Sequence, residues 1–176
     1  MSQPTTDVTR LLRRVRNIRE FTPEPISEDT LVDILEVGRW TGSASNRQPT
    51  EVVVVRDPQA RQKLVEAGSN TAGKAAVSLV IVTPGDPARA ELEIFDDGRL
   101  AERLLVAAAA HGLGSGITTL KGEGPAAVKQ MLGIPSERRV RTVVNIGHRD
   151  EAAIRAKPKN PQPRKPMTEF AHWDHY

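Results

Sequence analysis

Cysteine is absent from these 176 residues. That excludes disulfides, thiolate nucleophiles and every metal or iron–sulfur site built on sulfur. Aromatic residues make up 3% of the chain, too few platforms for a protein that stacks nucleic-acid bases. No apolar run approaches the roughly 20 residues needed to cross a bilayer, so no membrane partner is expected. The N-terminus MSQPTTDVTRLLRR has no apolar core of the kind a secretory signal carries, which points to the cytoplasm. Charge of one sign is not in large excess either: the formal net charge is +3.

What is present is an ordinary globular composition, 38% apolar and 27% charged, in a length that suits one domain with arms. The positive charge is unevenly placed. Arg10, Arg13, Arg14, Arg16 and Arg19 cluster near one end, and RAKPKNPQPRK, residues 155–165, lies near the other. Basic ends around a neutral middle suit nucleic acid or a smaller anion. The scarce aromatics, the small net charge and the lack of a helix-turn-helix pattern weigh against nucleic acid.

Leu11, Leu12, Val15 and Ile18 recur at helical spacing, so a first helix is expected over residues 6–18. Ser27, followed by Glu28 and Asp29, reads as the N-cap of a second helix carried by Leu31, Ile34, Leu35 and Gly38. TGSASNRQPT is a loop, and EVVVVRD after it reads as a buried strand from the middle of a sheet. A short helix follows over 58–67, then the buried strand AAVSLVIVT. Residues 84–98, PGDPARAELEIFDDG, are the one insertion long enough to cover a substrate. A largely apolar helix spans Gly98 to His111, GSGITTL is a strand, a helix runs from Pro125 to near Gly133, and RVRTVVNIGH is the last core strand. Four prolines among residues 157–166 make the tail an extended arm. Alternating elements without tight hairpin signals argue an α+β or α/β chain with one sheet packed by helices.

GLGSG at Gly112–Gly116 is not a dinucleotide fingerprint. That motif needs a strand before the glycines and a helix after them; here a helix precedes and a strand follows, as at a helix C-cap. His172 and His175 could share a metal, but no third ligand is placed, and a solvated or partner-packed tail explains them better. Arg16 and Arg19 are i,i+3 neighbours where the expected helix runs into REFTPEP and can address one ligand. Arginine suits phosphate or the carbonyl edge of a planar heterocycle. Asn46 and Gln48, in SASNRQP, carry amides able to read a ring with both donors and acceptors.

Taken in order, VRNIREFTPEPI, GRWTGSASNRQPTEVVVV, LLVAAAAHGLGSGITTL and PQPRKPMTEF resemble successive segments of the nitroreductase family of FMN-dependent oxidoreductases, and they span nearly the whole chain. The resemblance implies an α+β fold with a central mixed β-sheet flanked by helices. It implies an FMN-binding domain over residues 1–156 and an extended C-terminal arm, 157–176, packing on a dimer partner. FMN would lie at the interface of a homodimer. Arg16 and Asn17 would approach its phosphate and ribityl chain, and Arg19 its N1–C2 edge. Ser43, Ala44, Asn46 and Gln48 would come from the partner's side. Backbone N–H groups of Thr118, Thr119 and Leu120 would lie near N5, and Arg164 would hold the phosphate.

Five positions depart from the family's pattern: Val15 for an arginine, Asn17 for a serine, Gly42 for a proline, Thr50 for a tryptophan and Gln162 for a lysine. Two phosphate charges are thereby lost, leaving Arg16 and Arg164, with Arg13 or Lys165, to compensate. The implied activity is hydride transfer from NADH or NADPH, through FMN, to a small-molecule electron acceptor such as a nitro compound or quinone. That chemistry needs positioning more than acid–base groups, in keeping with a sequence that offers no catalytic side chain and no metal site. Two other readings of the same fold stay open: a more specialised flavin reaction, and a flavin binder without turnover.

Overall fold

The computed structural model describes residues 7–157 and 162–176. Its first half runs α1 (Asp7–Arg14), α2 (Glu28–Arg39), β1 (Glu51–Val55), α3 (Pro58–Glu66) and β2 (Val77–Thr83). The second half runs α4 (Ala90–Ala110), β3 (Gly114–Thr119), α5 (Gly124–Leu132), β4 (Arg139–Gly147), α6 (Glu151–Ala156) and α7 (Met167–Phe170). Position 6, where the first helix was expected to begin, and residues 158–161 of the arm lie outside the described residues.

The strand VSLVIVT is apolar on both of its faces, and β2 is accordingly buried at every position. It lies inside a four-stranded sheet of order β1-β2-β4-β3 with helices above and below. Because successive strand side chains point to opposite faces, β2 feeds two separate cores. Val77, Leu79 and Ile81 pack with α2 and α4 through Leu31, Ile34, Leu100 and Leu104. Val80 and Val82 pack with α3 and α5 through Leu64 and Val128. The result is a helix–sheet–helix sandwich, and the α+β class expected from the sequence holds.

Local signals placed most elements correctly. Ser27 caps α2, its hydroxyl accepting from Thr30 N–H at 3.2 Å. Gly112 takes φ +73°, the left-handed conformation that stops α4 and turns the chain into β3, as the C-cap reading of GLGSG required.

Four expectations change. All four strands pair antiparallel, and the parallel component of the expected mixed sheet is confined to a single bridge, Asn17–Ser115. EVVVV is an edge strand, not a central one: β1 pairs with β2 only, and Glu51 and Val54 are exposed. The first helix stops at Arg14. Beyond it Ile18 N–H donates to Ser115 O at 2.7 Å, so the backbone follows β3 instead of continuing to coil.

Residues 84–98 are not an extended insertion. They hold a single 3₁₀ turn and then the first half of α4, which begins at Ala90. The segment is anchored by Glu93, which is buried, pairs with Arg139 and accepts from Thr83 Oγ1, Gly85 N–H and Asp86 N–H at 2.9–3.0 Å. A buried carboxylate with this many donors does not swing open without losing them.

Candidate functional site

The segment after α1 is built as a short strand-like strip on the free edge of β3. Asn17 bridges Ser115, and its Oδ1 accepts from Ile117 N–H at 3.0 Å. Along the strip exposure alternates: Asn17 and Arg19 are exposed, Ile18 and Glu20 buried. A two-residue period therefore puts Asn17 and Arg19 on one side of the strip, in place of the helical Arg16–Arg19 pairing expected from the sequence. The close seating needs a glycine in β3, since a Cβ on Gly116 would stand 2.3 Å from Ile18 O.

This strip forms one wall of an open cavity of about 550 Å³. Arg13, Arg16, Asn17 and Arg164 line it together, with Ile117 from β3 and Glu102 from α4. Three guanidinium groups from two distant parts of the chain thus meet at one space. Of the two residues offered as compensating cations, Arg13 stands there and Lys165 does not. Arg16 is held by its Nη1, which donates to Arg13 O at 2.8 Å and Val15 O at 2.7 Å. Among the described residues none of Arg13, Arg16 and Arg164 forms an ion pair, nor does Glu102. Three unpaired guanidiniums over one carboxylate make an anion site, and their planar donor forks suit a phosphate ester.

The donors of β3 can be sorted by strand parity. Ile117 N–H points out to Asn17, while Leu120 N–H points in, donating to Arg141 O at 2.8 Å. Alternation then turns Thr119 N–H to the open edge and Thr118 N–H towards β4. Of the three residues offered as backbone donors, Thr119 alone has its N–H on the open edge of β3. Leu120 is buried in the α3–α5 core, and the Thr118 hydroxyl accepts from Asn145 Nδ2 at 3.5 Å.

Ser43, Ala44, Asn46 and Gln48 sit elsewhere. None lines the arginine cavity; Ser43 and Gln48 border a separate one of about 260 Å³ with Thr41 and Asp96, and Ala44 another. The loop is pinned by Ser43 Oγ, which accepts from Gln48 N–H at 2.8 Å. Ser45, Asn46 and Gln48 have φ of +53°, +51° and +49°. Left-handed backbone is uncommon for non-glycine residues, and such strain gathers at ligand clamps. Arg19 is exposed and has no ion pair among the described residues.

Sequence reasoning missed Glu102 and the buried Asn145. The signal for Glu102 was there: Glu102 and Arg103 interrupt an apolar helix stretch, LAERLLVAAAA. Asn145 looked like one polar residue in a core strand. In the fold it accepts from Ser78 Oγ at 2.7 Å and donates to Thr71 Oγ1 at 2.8 Å and Ser69 Oγ at 3.2 Å, tying β2, β4 and the loop after α3 together. Among the described residues no cluster of three or more His, Asp and Glu could hold a metal, and no helix is long and apolar enough to cross a membrane.

Residues 12–80 match the model of the Nitroreductase family. A Thermus thermophilus protein named NADH dehydrogenase is 28% identical over 207 residues, covering 97% of this chain and 97% of that protein. An Archaeoglobus fulgidus protein, with the provisional name NADH dehydrogenase/NAD(P)H nitroreductase, is 31% identical over 140 residues, covering 76% of this chain and 80% of that protein. Among solved structures, an FMN-dependent nitroreductase from Clostridium difficile superposes with a TM-score of 0.78 at 20% identity, covering 94% of this chain and 98% of the other.

Proposed function

The chain belongs to the nitroreductase family, and from that premise we propose that it is an FMN-dependent, NAD(P)H-oxidising homodimer passing electrons to a small acceptor such as a nitro compound or quinone. The observation that carries the reading is the meeting of Arg13, Arg16, Asn17 and Arg164 at one cavity beside the open edge of β3. Three unpaired guanidiniums are the donor set a flavin phosphate requires. Bound there, FMN would supply hydride transfer at N5 between the nicotinamide and the acceptor.

The chain's own part is positioning and electrostatics. Arg16 and Arg164 hold the phosphate, with Arg13 taking the place of the lost family arginine, and Asn17 sits by the ribityl chain. Arg19, one strand repeat along from Asn17, brings a cation to the N1–C2 edge, where negative charge accumulates on reduction. Thr119 N–H is the donor directed at the N5 region, with Thr118 and Leu120 holding its strand in place. No side chain is assigned a proton-transfer role.

Two observations support a dimer. The loop of Ser43, Ala44, Asn46 and Gln48 does not line the arginine cavity of its own chain, which leaves it to the partner's. Apolar residues also lie open on α1 (Val8, Leu12), on α4 (Leu92, Phe95) and in the arm (Met167, Phe170, Trp173), a surface that an isolated chain leaves wet. In this reading residues 1–156 form the flavin domain, the arm 157–176 wraps the partner, and the enzyme works in the cytoplasm.

The test is to purify the protein without added cofactor, record its visible absorbance, denature it and identify what is released. A yellow protein that releases FMN supports the reading, and oxidation of NADH or NADPH with a panel of acceptors then assigns the substrates. A colourless protein that fails to take up added FMN overturns it.

A further inference from the structure

On the other side of the strip, a second cavity of about 410 Å³ lies between residues 21–26, the loop before β2 and the start of α3. It shares no lining residue with the arginine cavity. Its volume falls in the roughly 300–1,000 Å³ range of small-molecule sites. Three cations line it, Arg56, Arg61 and Lys74, over an apolar floor that includes Phe21, Pro23 and Pro25; no carboxylate lines it.

The three cations are not equivalent. Arg56 is neutralised at the rim by Glu28. Lys74 pairs with Glu20 at 2.8 Å, but Lys157 engages the same carboxylate, so this trio keeps one positive charge. Arg61 has no carboxylate within ion-pair range among the described residues. Its guanidinium is part-buried and donates through Nη1 to Ala72 O, at 3.1 Å, and to Ala75 O, and through Nε to Arg56 O at 3.4 Å. Among the described residues its Nη2 has no acceptor. Burial pulls the guanidinium down from its usual value while Asp57, at the N-cap of α3, acts against this. A cation carried into a partly desolvated site, locked by backbone carbonyls and left with a free donor is prepared for an anion.

We propose that this cavity binds a small organic acid, a single carboxylate on an apolar or aromatic body, with the carboxylate between Arg61 and Lys74 and the body against Phe21, Pro23 and Pro25. One carboxylate matches Arg61, the one lining cation without a carboxylate partner among the described residues, since Arg56 and Lys74 each have one and Lys157 lies outside the lining; the largely apolar floor takes the organic body. The proposal does not rest on the flavin reading, since neither cavity contributes a residue to the other.

The experiment is a ¹⁹F NMR titration of the full chain, as purified, with 4-fluorophenylacetate and with the neutral analogue 2-(4-fluorophenyl)ethanol. Saturable binding of the acid is expected, with the alcohol at least about tenfold weaker, the loss of one charge-assisted contact. Arg61→Gln and Lys74→Gln should each weaken the acid by about tenfold while leaving the alcohol unchanged. Should Arg61→Gln fail to fold for want of its carbonyl contacts, Lys74→Gln, at a half-exposed side chain, decides alone. Acid binding that ignores the substitutions, or an alcohol that binds equally well, overturns the site. Tighter binding of 4-fluorophenyl phosphate, lost with the same substitutions, overturns the carboxylate assignment.

Discussion

Asn17 accepts from the backbone N–H of Ile117 at 3.0 Å, a side chain near the N-terminus closing the free edge of a strand a hundred positions later. With the Ile18 N–H to Ser115 O bond beside it, this contact seats the Arg16–Arg19 segment on β3 and so places the proposed phosphate and ring-edge cations. Asn17→Ala is expected to cost about 1 kcal/mol, since the exposed Ile117 N–H can turn to water, and to loosen FMN. Asn17→Asp keeps the acceptor but sets a negative charge among arginines, so it should hold stability while weakening FMN. Urea unfolding and FMN retention on gel filtration separate the two effects; native-like FMN retention in both variants would remove Asn17 from the site.

Arg16→Ala and Arg164→Ala each delete one charged donor to the phosphate, a contact worth about 1.5–3 kcal/mol. FMN affinity should therefore fall by roughly tenfold to a hundredfold, as read by flavin fluorescence titration. Riboflavin, which lacks the phosphate, should bind the variants and the native protein alike.

Arg19→Ala removes the cation from the ring edge. Slower flavin reduction by NAD(P)H is expected in stopped-flow absorbance, together with a lower flavin potential, while the phosphate contacts stay intact. Unchanged affinity, rate and potential would leave Arg19 without its proposed role.

Gly116→Ala drives a Cβ to within 2.3 Å of Ile18 O, and the two backbones must separate. Overpacking of this kind costs about 1–3 kcal/mol, and here the shift falls on the proposed cofactor strip. Thermal unfolding should drop and FMN retention with it. A variant as stable as the native chain would mean that the strip is not seated on β3 as described.

Asp97 is buried on α4, with Oδ2 accepting from Thr142 Oγ1 at 2.7 Å, Arg141 3.7 Å away and Oδ1 without a partner. Burial raises its carboxyl above its ordinary value, outweighing Thr142 and Arg141. A carboxyl with a higher folded than unfolded pKa favours the folded state only while protonated. Its penalty is absent below the unfolded value of about 3.9, grows as pH rises through the folded one, and is complete above it. Asp97→Asn is expected to match or exceed native stability at neutral pH and to lose that pH dependence, because the amide oxygen keeps the Thr142 bond and Arg141 stays half in water. Urea midpoints followed from about pH 3 to pH 7 test it; a variant much weaker at pH 7 would show the charge to be compensated.

What the sequence determined on its own was whatever neighbouring residues decide between themselves. Ser27 had to cap a helix because its hydroxyl meets an N–H three residues on, Gly112 had to end one because it alone tolerates φ +73° cheaply, and VSLVIVT had to be covered on both faces. The motif order also carried the arginines, the polar loop and the family resemblance. The tertiary structure decided what depends on partners far along the chain. Leu11, Leu12, Val15 and Ile18 satisfy a helical period, yet Ile18 leaves the helix because Ser115 O offers its N–H a better partner. EVVVV reads the same on an edge as in the middle of a sheet, since apolar residues do not say how many neighbours they have. Residues 84–98 looked like a loose insertion until Arg139 and Thr83 claimed Glu93. Arg164 reaches the cavity of Arg16, and Asn145 finds Thr71, only once the sheet has closed, because a hydrogen bond or an ion pair is set by distance in space.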